Sequence, residues 1–154
     1  MPMQLEGRLA RTDRRSPGER CPIDRAMQVV GTRSAMLLLR EAAYGTTRFD
    51  ELASRVGISD AIASSRLKEL VGAGLLERRP YREPGQRTRH EYVLTASGND
   101  LVPVLIALAD WGRKHAPHAE TPTMTHAGCG ADVVTTMRCA HGHDVATEDV
   151  VATA

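Results

Sequence analysis

The chain has 154 residues, of which 42% are hydrophobic and 25% charged, as in an ordinary globular protein of about one domain. Only 3% are aromatic, so the core must be aliphatic, which favours packed helices over a sandwich of strands. Residues 1–116 hold 19 Lys or Arg against 14 Asp or Glu, whereas residues 117–154 hold one Arg against five acidic residues, so only the body of the chain favours a polyanionic partner.

No segment has the character of a membrane anchor or a secretory leader. The longest apolar runs, 35–39 and 101–109, are too short to cross a bilayer, and residues 1–20 are charged throughout. Three cysteines, an odd number, argue against a secreted disulfide framework. We therefore expect a cytoplasmic protein without a membrane partner.

Residues 1–20 show no apolar period and are rich in arginine. They are predicted to form a flexible basic arm. Such an arm can follow a DNA backbone or enter a minor groove, although a solvated tail is the simpler interpretation.

Three helices are predicted at the start of the folded body, residues 21–116. Pro22 favours a helix start directly after Cys21, because proline is preferred at the first helical position, and this helix ends before Gly31. Ser34 is predicted to cap a second helix that ends near Tyr44. Apolar residues at i, i+3, i+4 and i+7 predict a third, short helix over 49–56.

The fourth helix indicates the supersecondary motif. Gly57 begins a tight turn, and Ser59 is expected to cap a helix over 60–73. A short helix, a glycine turn and a second helix of this length form a helix-turn-helix unit. The apolar residues predicted to be buried on the fourth helix are Ile62, Leu67, Leu70 and Val71.

A basic hairpin is predicted to follow. Residues 75–82 and 89–94 have the character of strands, and the loop between them contains Pro84-Gly85, the pattern of a type II turn. The hairpin is rich in arginine, and a basic hairpin after a recognition helix is a wing.

A last long helix is predicted from a cap at Thr95 to about His115, with Pro103 either bending it or marking its regular start. Little of the domain remains to cover its apolar stripe, so the stripe is expected to join the first helix in a dimer interface. The alternative is that it packs back on its own core. The predicted interface residues are Ile23, Met27, Leu101, Leu105, Leu108 and Trp111.

From Cys21 to about Ala116 the chain resembles the HxlR-type winged helix-turn-helix regulators, which are mainly α with a small β-hairpin. The order and spacing of several short runs carry the resemblance. The runs are Cys21-Pro22-Ile23, Phe49-Asp50-Glu51-Leu52, Gly57-Ile58-Ser59, Arg66-Leu67-Lys68-Glu69-Leu70, Gly74-Leu75-Leu76-Glu77-Arg78 and Tyr92-Val93-Leu94-Thr95, followed by Gly98, Leu101, Pro103, Leu108 and Trp111. Two features depart from the family: a Gly-Lys-Trp-like segment is replaced by Gly31-Thr32-Arg33-Ser34, and the acidic tail, residues 117–154, is an addition.

The resemblance implies a homodimer that binds double-stranded DNA, commonly as a repressor, and responds to a small-molecule effector or to oxidative or electrophilic stress. The fourth helix would enter the major groove, and the wing arginines would follow the backbone or the minor groove. Arg66 is expected either to pair with a phosphate or to brace Glu69. The predicted DNA-binding residues are Ser59, Ala61, Ser64, Ser65, Arg66, Lys68, Arg79, Arg82, Arg87 and Arg89.

Cys21 is the candidate redox sensor. It lies at a predicted helix amino terminus between Arg20 and Arg25, and the helix dipole and both charges favour the reactive thiolate. The alternative is a small residue that only caps and packs.

The tail holds a candidate zinc site. His126-x2-Cys129 and, nine residues later, Cys139-x3-His143 give a Cys2His2 set, with His141 as a second choice beside Cys139. The alternative is a disordered tail with incidental ligands. No other cofactor is expected.

Two other functions are less favoured. We expect no enzyme, because the sequence lacks a phosphate-binding glycine loop, a nucleophile elbow and a pair of carboxylates in a plausible cleft. The stronger rival is a winged-helix module that binds proteins instead of DNA. Lys68 and the wing arginines argue against this rival.

Overall fold

The computed structural model describes residues 2–13, 20–116 and 122–153. The chain divides into two units, one spanning residues 19–109 and the other joining residues 1–18 to residues 110–154. Within the described parts, no helix has the length and apolar character needed to cross a membrane.

The elements are mainly helical, with a two-stranded antiparallel hairpin, which confirms the predicted fold class. Single-turn 3-10 helices are also present at Gly7–Ala10 and Thr147–Asp149. In chain order the helices and strands are β1 (Gln4–Leu5), α1 (Pro22–Val30), α2 (Arg33–Ala43), α3 (Phe49–Val56), α4 (Asp60–Gly72), β2 (Leu76–Tyr81), β3 (Arg89–Leu94), α5 (Ala96–Asn99), α6 (Val102–His115) and β4 (Val151–Ala152).

The core of the first unit is aliphatic, as the composition predicts. Its fully buried large side chains are Leu38, Leu39, Leu52, Leu67, Leu70 and Leu76. They come from α2, α3, α4 and the start of β2, so the helix-turn-helix and the wing share one core. Burial of such side chains is the main source of stability for the unit, at about 1.5–3 kcal/mol for each.

Two of the three predicted caps are confirmed. The Ser59 hydroxyl accepts a hydrogen bond from the Ile62 amide at 3.4 Å, and Thr95 accepts one from Gly98 at 3.1 Å. The prediction that Ser34 caps the second helix is wrong. Thr32 is the first extended residue after α1, and its Oγ1 accepts from the Ala35 amide at 3.2 Å, so α2 begins at Arg33.

The burial predicted for Ile62 is also wrong. The inner face of α4 consists of Ala63, Leu67 and Leu70, which are fully buried at i, i+4 and i+7. Ile62 lies about 100° around the helix from Ala63 and is 47% exposed. In the first turn of α4, the small Ala63 therefore takes the position that faces the core, and the larger Ile62 is left outside.

The predicted last helix is divided into α5 and α6. Pro103 is the second residue of α6, where a missing amide costs no intrahelical hydrogen bond, so Pro103 marks a helix start. Gly98 of α5 packs against the backbone at the start of the wing: a Cβ there would lie 2.2 Å from the Leu75 carbonyl oxygen. The Thr95 hydroxyl donates to the Gly74 carbonyl at 2.6 Å and strengthens the same junction.

The predicted hairpin is confirmed. β2 pairs with β3 in antiparallel register, from Leu76 opposite Leu94 to Tyr81 opposite Arg89. In the connecting loop, the Gln86 amide donates to the Glu83 carbonyl at 3.0 Å and Gly85 has φ +76°, as a type II turn requires. The segment before α3 extends this sheet, because the Tyr92 amide donates to the Thr47 carbonyl at 2.8 Å and Arg48 pairs with Glu91.

In the second unit, the chain termini pair with each other. β1 and β4 are parallel, with Gln4 opposite Val151, and the Gln4 amide donates to the Val150 carbonyl at 2.9 Å. Residues 2–13 of the predicted arm therefore include a short strand and a 3-10 turn, whereas the flexibility of the arm stays a prediction. Strands of two residues are too short to show an alternation of apolar and polar residues, and their partners lie at the other end of the chain. The sequence therefore could not predict this pairing. Arg14 and Arg15 of the predicted arm lie outside the described residues.

Candidate nucleic-acid interface

The outer face of α4 is polar and open. Its inner face is fixed by Leu67 and Leu70, so helical geometry turns the opposite side outwards. Five of the residues predicted to contact DNA from this helix and its cap are exposed: Ser59, Ala61, Ser64, Ser65 and Lys68. The structure thus gathers them on one accessible helix surface, as contact with base edges requires.

A small polar network organises the middle of this face. The Arg66 guanidinium donates to Glu69 Oε2 in a salt bridge, and the Ser65 hydroxyl donates to Glu69 Oε1 at 3.2 Å. Of the two roles predicted for Arg66, the structure therefore has the one that braces Glu69. Within the described residues, no ion pair involves Lys68, which leaves it as the cation of α4 that is available to a phosphate.

The sequence prediction missed Ile62 as a residue of this face. Its exposed side chain lies one helical turn after Ser59 and one turn before Ser65 and Arg66. An apolar side chain among polar residues can contact the methyl group of thymine in the major groove. The signal was present in the sequence, since Ile62 fits the i, i+3 spacing of the polar residues better than that of Leu67 and Leu70.

The wing arginines fall into two groups. Arg79 donates to Glu77 at 2.8 Å, which lowers the pKa of that exposed carboxyl, and Arg82 Nε donates to the Gln86 carbonyl at 3.1 Å within the loop. Arg87 and Arg89 are exposed, and no ion pair with them is found in the described part of the chain. Arg87 and Arg89 are therefore the wing cations best placed to receive phosphates.

Arg48, which the sequence prediction also missed, connects the helix-turn-helix to the wing. Its guanidinium carbon lies 3.3 Å from the centroid of the Tyr81 ring, and its Nη2 is 3.7 Å from Glu83 Oε1. A pocket of about 680 Å³ lies between the start of α3 and the wing, and Arg48, Arg78 and Arg89 contribute to its lining. Arg48 carries no sequence signal, because its role depends on the packing of the wing.

Cys21 has the predicted position. It is the amino-terminal cap residue of α1, with Pro22 at the first helical position, and its backbone is extended (φ −73°, ψ 119°). Its side chain is half-buried and makes no capping hydrogen bond. The thiol is therefore free of a structural hydrogen-bonding role at this helix end.

The predicted interface residues divide into two sets. Leu101 and Leu105 are half-buried and pack against the core, as the alternative interpretation of the stripe expected, although Leu101 also contributes to the groove described next. Ile23, Met27 and Leu108 are 73%, 55% and 52% exposed, and they line an apolar groove of about 600 Å³ between α1 and α6 in the first unit. Trp111 of α6 is 63% exposed.

The predicted metal ligands are gathered only in part. His126 Nδ1 and Cys129 Sγ lie 3.2 Å apart. Cys139 and His143 lie on another exposed turn, where the Cys139 amide donates to the His143 carbonyl at 3.0 Å. Among the described residues, no three potential ligand side chains are close enough to hold a metal ion.

Comparison with known proteins gives consistent matches. Residues 29–120 match the family described as HxlR-like helix-turn-helix. The uncharacterised HTH-type transcriptional regulator Rv3095 of Mycobacterium tuberculosis is 38% identical over 131 residues, covering 83% of this chain and 82% of that protein. A similar regulator, YdeP of Bacillus subtilis, is 30% identical and covers 63% of this chain and 75% of that protein.

Solved structures agree with these matches. The crystal structure of PA1607, a candidate transcription factor, matches with a TM-score of 0.75 and 31% identity, covering 87% of this chain and 94% of that chain. The reduced form of the redox regulator HypR matches with a TM-score of 0.55 and 25% identity, covering 61% of this chain and 92% of that chain.

Proposed function

The chain belongs to the HxlR-like helix-turn-helix family of transcriptional regulators, and we propose that it represses transcription by binding an inverted-repeat DNA site as a homodimer. One observation carries the proposal: the exposed polar face of α4 lies in the same unit as an exposed, arginine-rich wing. These are the two surfaces with which a winged helix reads and holds a duplex.

The two surfaces divide the binding energy. α4 enters the major groove, where Ser64, Ser65 and Ile62 meet base edges and Lys68 meets a phosphate. The wing places Arg87 and Arg89 beside the adjacent backbone, which sets the affinity and its dependence on salt. Arg79 and Arg82 already have partners in the free protein and contribute less.

In a homodimer, the second subunit supplies a second DNA-binding surface, made of its own α4 and wing. Ile23, Met27 and Leu108 expose apolar surface around the groove between α1 and α6, and a second copy would remove this surface from water. Two-fold symmetry then predicts half-sites separated by about one helical turn, roughly 34 Å.

Regulation has a suitable location at the same groove. Pro22 and Ile23, which follow Cys21, contribute to its lining, so oxidation or alkylation of the Cys21 thiol would change the surface on which the partner packs. A small apolar effector would find its available volume in this groove as well. HypR, one of the structural matches, is named a redox regulator.

In vitro selection from random duplexes tests the DNA-binding proposal. We expect an inverted repeat whose half-sites are about one helical turn apart, and binding that weakens steeply as salt is raised. Recovery of no common sequence, together with binding that ignores salt, would favour the protein-interaction module.

Light scattering of matched variants tests the dimer. Leu108→Glu places a charge in the groove and should give a monomer at micromolar concentration, with DNA affinity reduced about 100-fold or more because one head is lost. Tyr44→Glu is the control, since Tyr44 is 49% exposed and does not contribute to the lining of the groove. A Leu108→Glu protein that stays dimeric would place the interface elsewhere.

A further inference from the structure

The tail contains two hairpins with the same hydrogen-bond pattern, although the sequence shows no obvious internal repeat. In the first, Val133 donates to the Met124 carbonyl at 2.8 Å, and His126 donates to the Ala131 carbonyl at 2.8 Å. In the second, Val145 donates to the Met137 carbonyl at 3.0 Å, and Cys139 donates to the His143 carbonyl at 3.0 Å. In each hairpin an antiparallel β-bridge lies between these two hydrogen bonds. It joins Thr125 to Asp132 in the first hairpin and Arg138 to Asp144 in the second.

The glycines of the two turns show which residue of the first turn corresponds to which residue of the second. The Gly130 amide donates to the His126 carbonyl at 2.8 Å, and the Gly142 amide donates to the Cys139 carbonyl at 2.8 Å. Both glycines are left-handed, with φ +71° and +82°. Gly130 is thus equivalent to Gly142, and the second turn is one residue shorter.

This equivalence distinguishes the two histidines beside Cys139. Cys139 corresponds to His126 as the first residue of its turn. His141 corresponds to Cys129, since each precedes the left-handed glycine, whereas His143 corresponds to Ala131. In the first turn, the residue at the entry and the residue before the glycine are in contact, with His126 Nδ1 3.2 Å from Cys129 Sγ.

From this geometry we propose that the tail is a structural zinc site whose ligands are His126, Cys129, Cys139 and His141. Each turn would supply one imidazole and one thiol, of which the first pair is already in contact, and both cysteines are free and exposed. Two nitrogen and two sulfur donors form a set that Zn²⁺ prefers in closed, four-coordinate structural sites. Each thiol gives its proton to solvent as its sulfur binds the ion, so the step needs no oxidant or reductant.

The apolar residues around the junction of the hairpins support this assignment. Val133, Val134 and Met137 are 37%, 70% and 48% exposed, so the tail has apolar surface but little core of its own. Small domains of this kind commonly obtain their stability from a metal, and ligands that are apart without the metal come together as the domain folds around it. Zinc would hold the two hairpins together across the short link of residues 134–136.

The test is zinc loading of the full chain, purified without a histidine tag and stripped by a chelator under reducing conditions. We expect one zinc per chain by elemental analysis, and cobalt in its place should give the visible absorption of a tetrahedral thiolate complex. Limited proteolysis should show residues 124–145 protected when zinc is added. Less than one zinc in ten chains, with no cobalt spectrum, would overturn the proposal.

Two histidine variants test the ligand assignment. His141→Ala should weaken zinc binding at least about 100-fold, whereas His143→Ala should change it by less than about threefold. Cys129→Ala should behave as His141→Ala does, and Cys21→Ser is the control that keeps full loading. Loss of zinc from His143→Ala with retention in His141→Ala would overturn the alignment of the two turns. Circular dichroism of the helices reports folding of the first unit in every variant.

Discussion

The two surfaces offered to DNA, α4 and the wing, differ in how they use charge. On α4, Arg66 is held by Glu69, Asp60 lies in the first turn, and Lys68 remains as the available cation. On the wing, Arg87 and Arg89 extend from a hairpin in which Glu77 is already paired with Arg79 and Glu83 with Arg48. Charge supplies attraction that is independent of sequence, whereas uncharged groups at fixed positions distinguish bases. We therefore assign affinity mainly to the wing and selection of sequence mainly to α4.

Of changes to these two surfaces, the largest effect on DNA affinity is expected from the wing. Replacing Arg87 and Arg89 together with alanine should weaken binding to every duplex by roughly the same factor, about tenfold or more at moderate salt. The slope of log K against log salt should fall by up to about four, because each of the two subunits loses two phosphate contacts and about one counterion is released for each contact. A salt titration of fluorescence anisotropy on selected and random duplexes measures both.

The control removes the same charge from another part of the first unit. Arg25→Ala with Arg55→Ala alters exposed arginines of α1 and α3 that do not line the groove between α1 and α6, and it should leave the slope almost unchanged. If the control lowered the slope as much as the wing variant does, net charge would explain the effect and the wing would have no special role.

The second largest effect is expected from α4, where a substitution should change the preference of the protein for particular bases. Ile62→Ala removes an exposed apolar group, so folding should be unaffected, while affinity for the selected site should fall about fivefold and affinity for random DNA should not. Repeating the selection should show a weakened preference for thymine at one position of each half-site. Ile62→Val keeps a branched apolar side chain, so its affinity for the selected site and its base preference should be close to those of the parent protein. An unchanged selected sequence in Ile62→Ala would remove Ile62 from the reading face.

A smaller effect is expected where the two surfaces are joined. Arg48 stacks on Tyr81 and approaches Glu83, so Arg48→Gln should loosen the wing relative to α3. We expect about a threefold loss of affinity, as for a cation–π contact worth about 0.5–1 kcal/mol, with an unchanged salt slope. A slope reduced by about two, one for each subunit of the dimer, would instead make Arg48 a phosphate ligand.

Features of the fold and of the DNA-binding surfaces could be predicted from the sequence where they depend on residues close together in the chain. Gly57, Ser59 and the spacing of Leu67 and Leu70 are local signals, so α3, the turn and α4 were predicted correctly. Pro84-Gly85 likewise predicted the turn of the wing. For these elements, the positions of the helices and of the turn could therefore be predicted before the contacts of their side chains were known.

The errors concern features that depend on packing between distant segments. Whether Ile62 or Ala63 faces the core depends on how closely α4 approaches α2, and Arg48 acquires its role only when the wing lies beside it. The pairing of β1 with β4 joins residues near the two chain ends. Similarly, the second turn of the tail is one residue shorter than the first, so the sequence does not show that the two hairpins are equivalent. The equivalence becomes visible only in their hydrogen bonds.

The smallest effect is expected at Cys21, which belongs to neither surface. Its half-buried thiol makes no capping hydrogen bond, so Cys21→Ser should leave DNA affinity within about twofold under reducing conditions. After treatment with diamide or an alkylating agent, the parent should lose affinity and Cys21→Ser should not, since only the parent has a thiol beside the α1–α6 groove. Cys129→Ser with Cys139→Ser keeps Cys21 while removing the tail thiols and should respond as the parent does. Should the tail variant lose the response and Cys21→Ser retain it, oxidation would act through the tail, and α1 would have only a structural role.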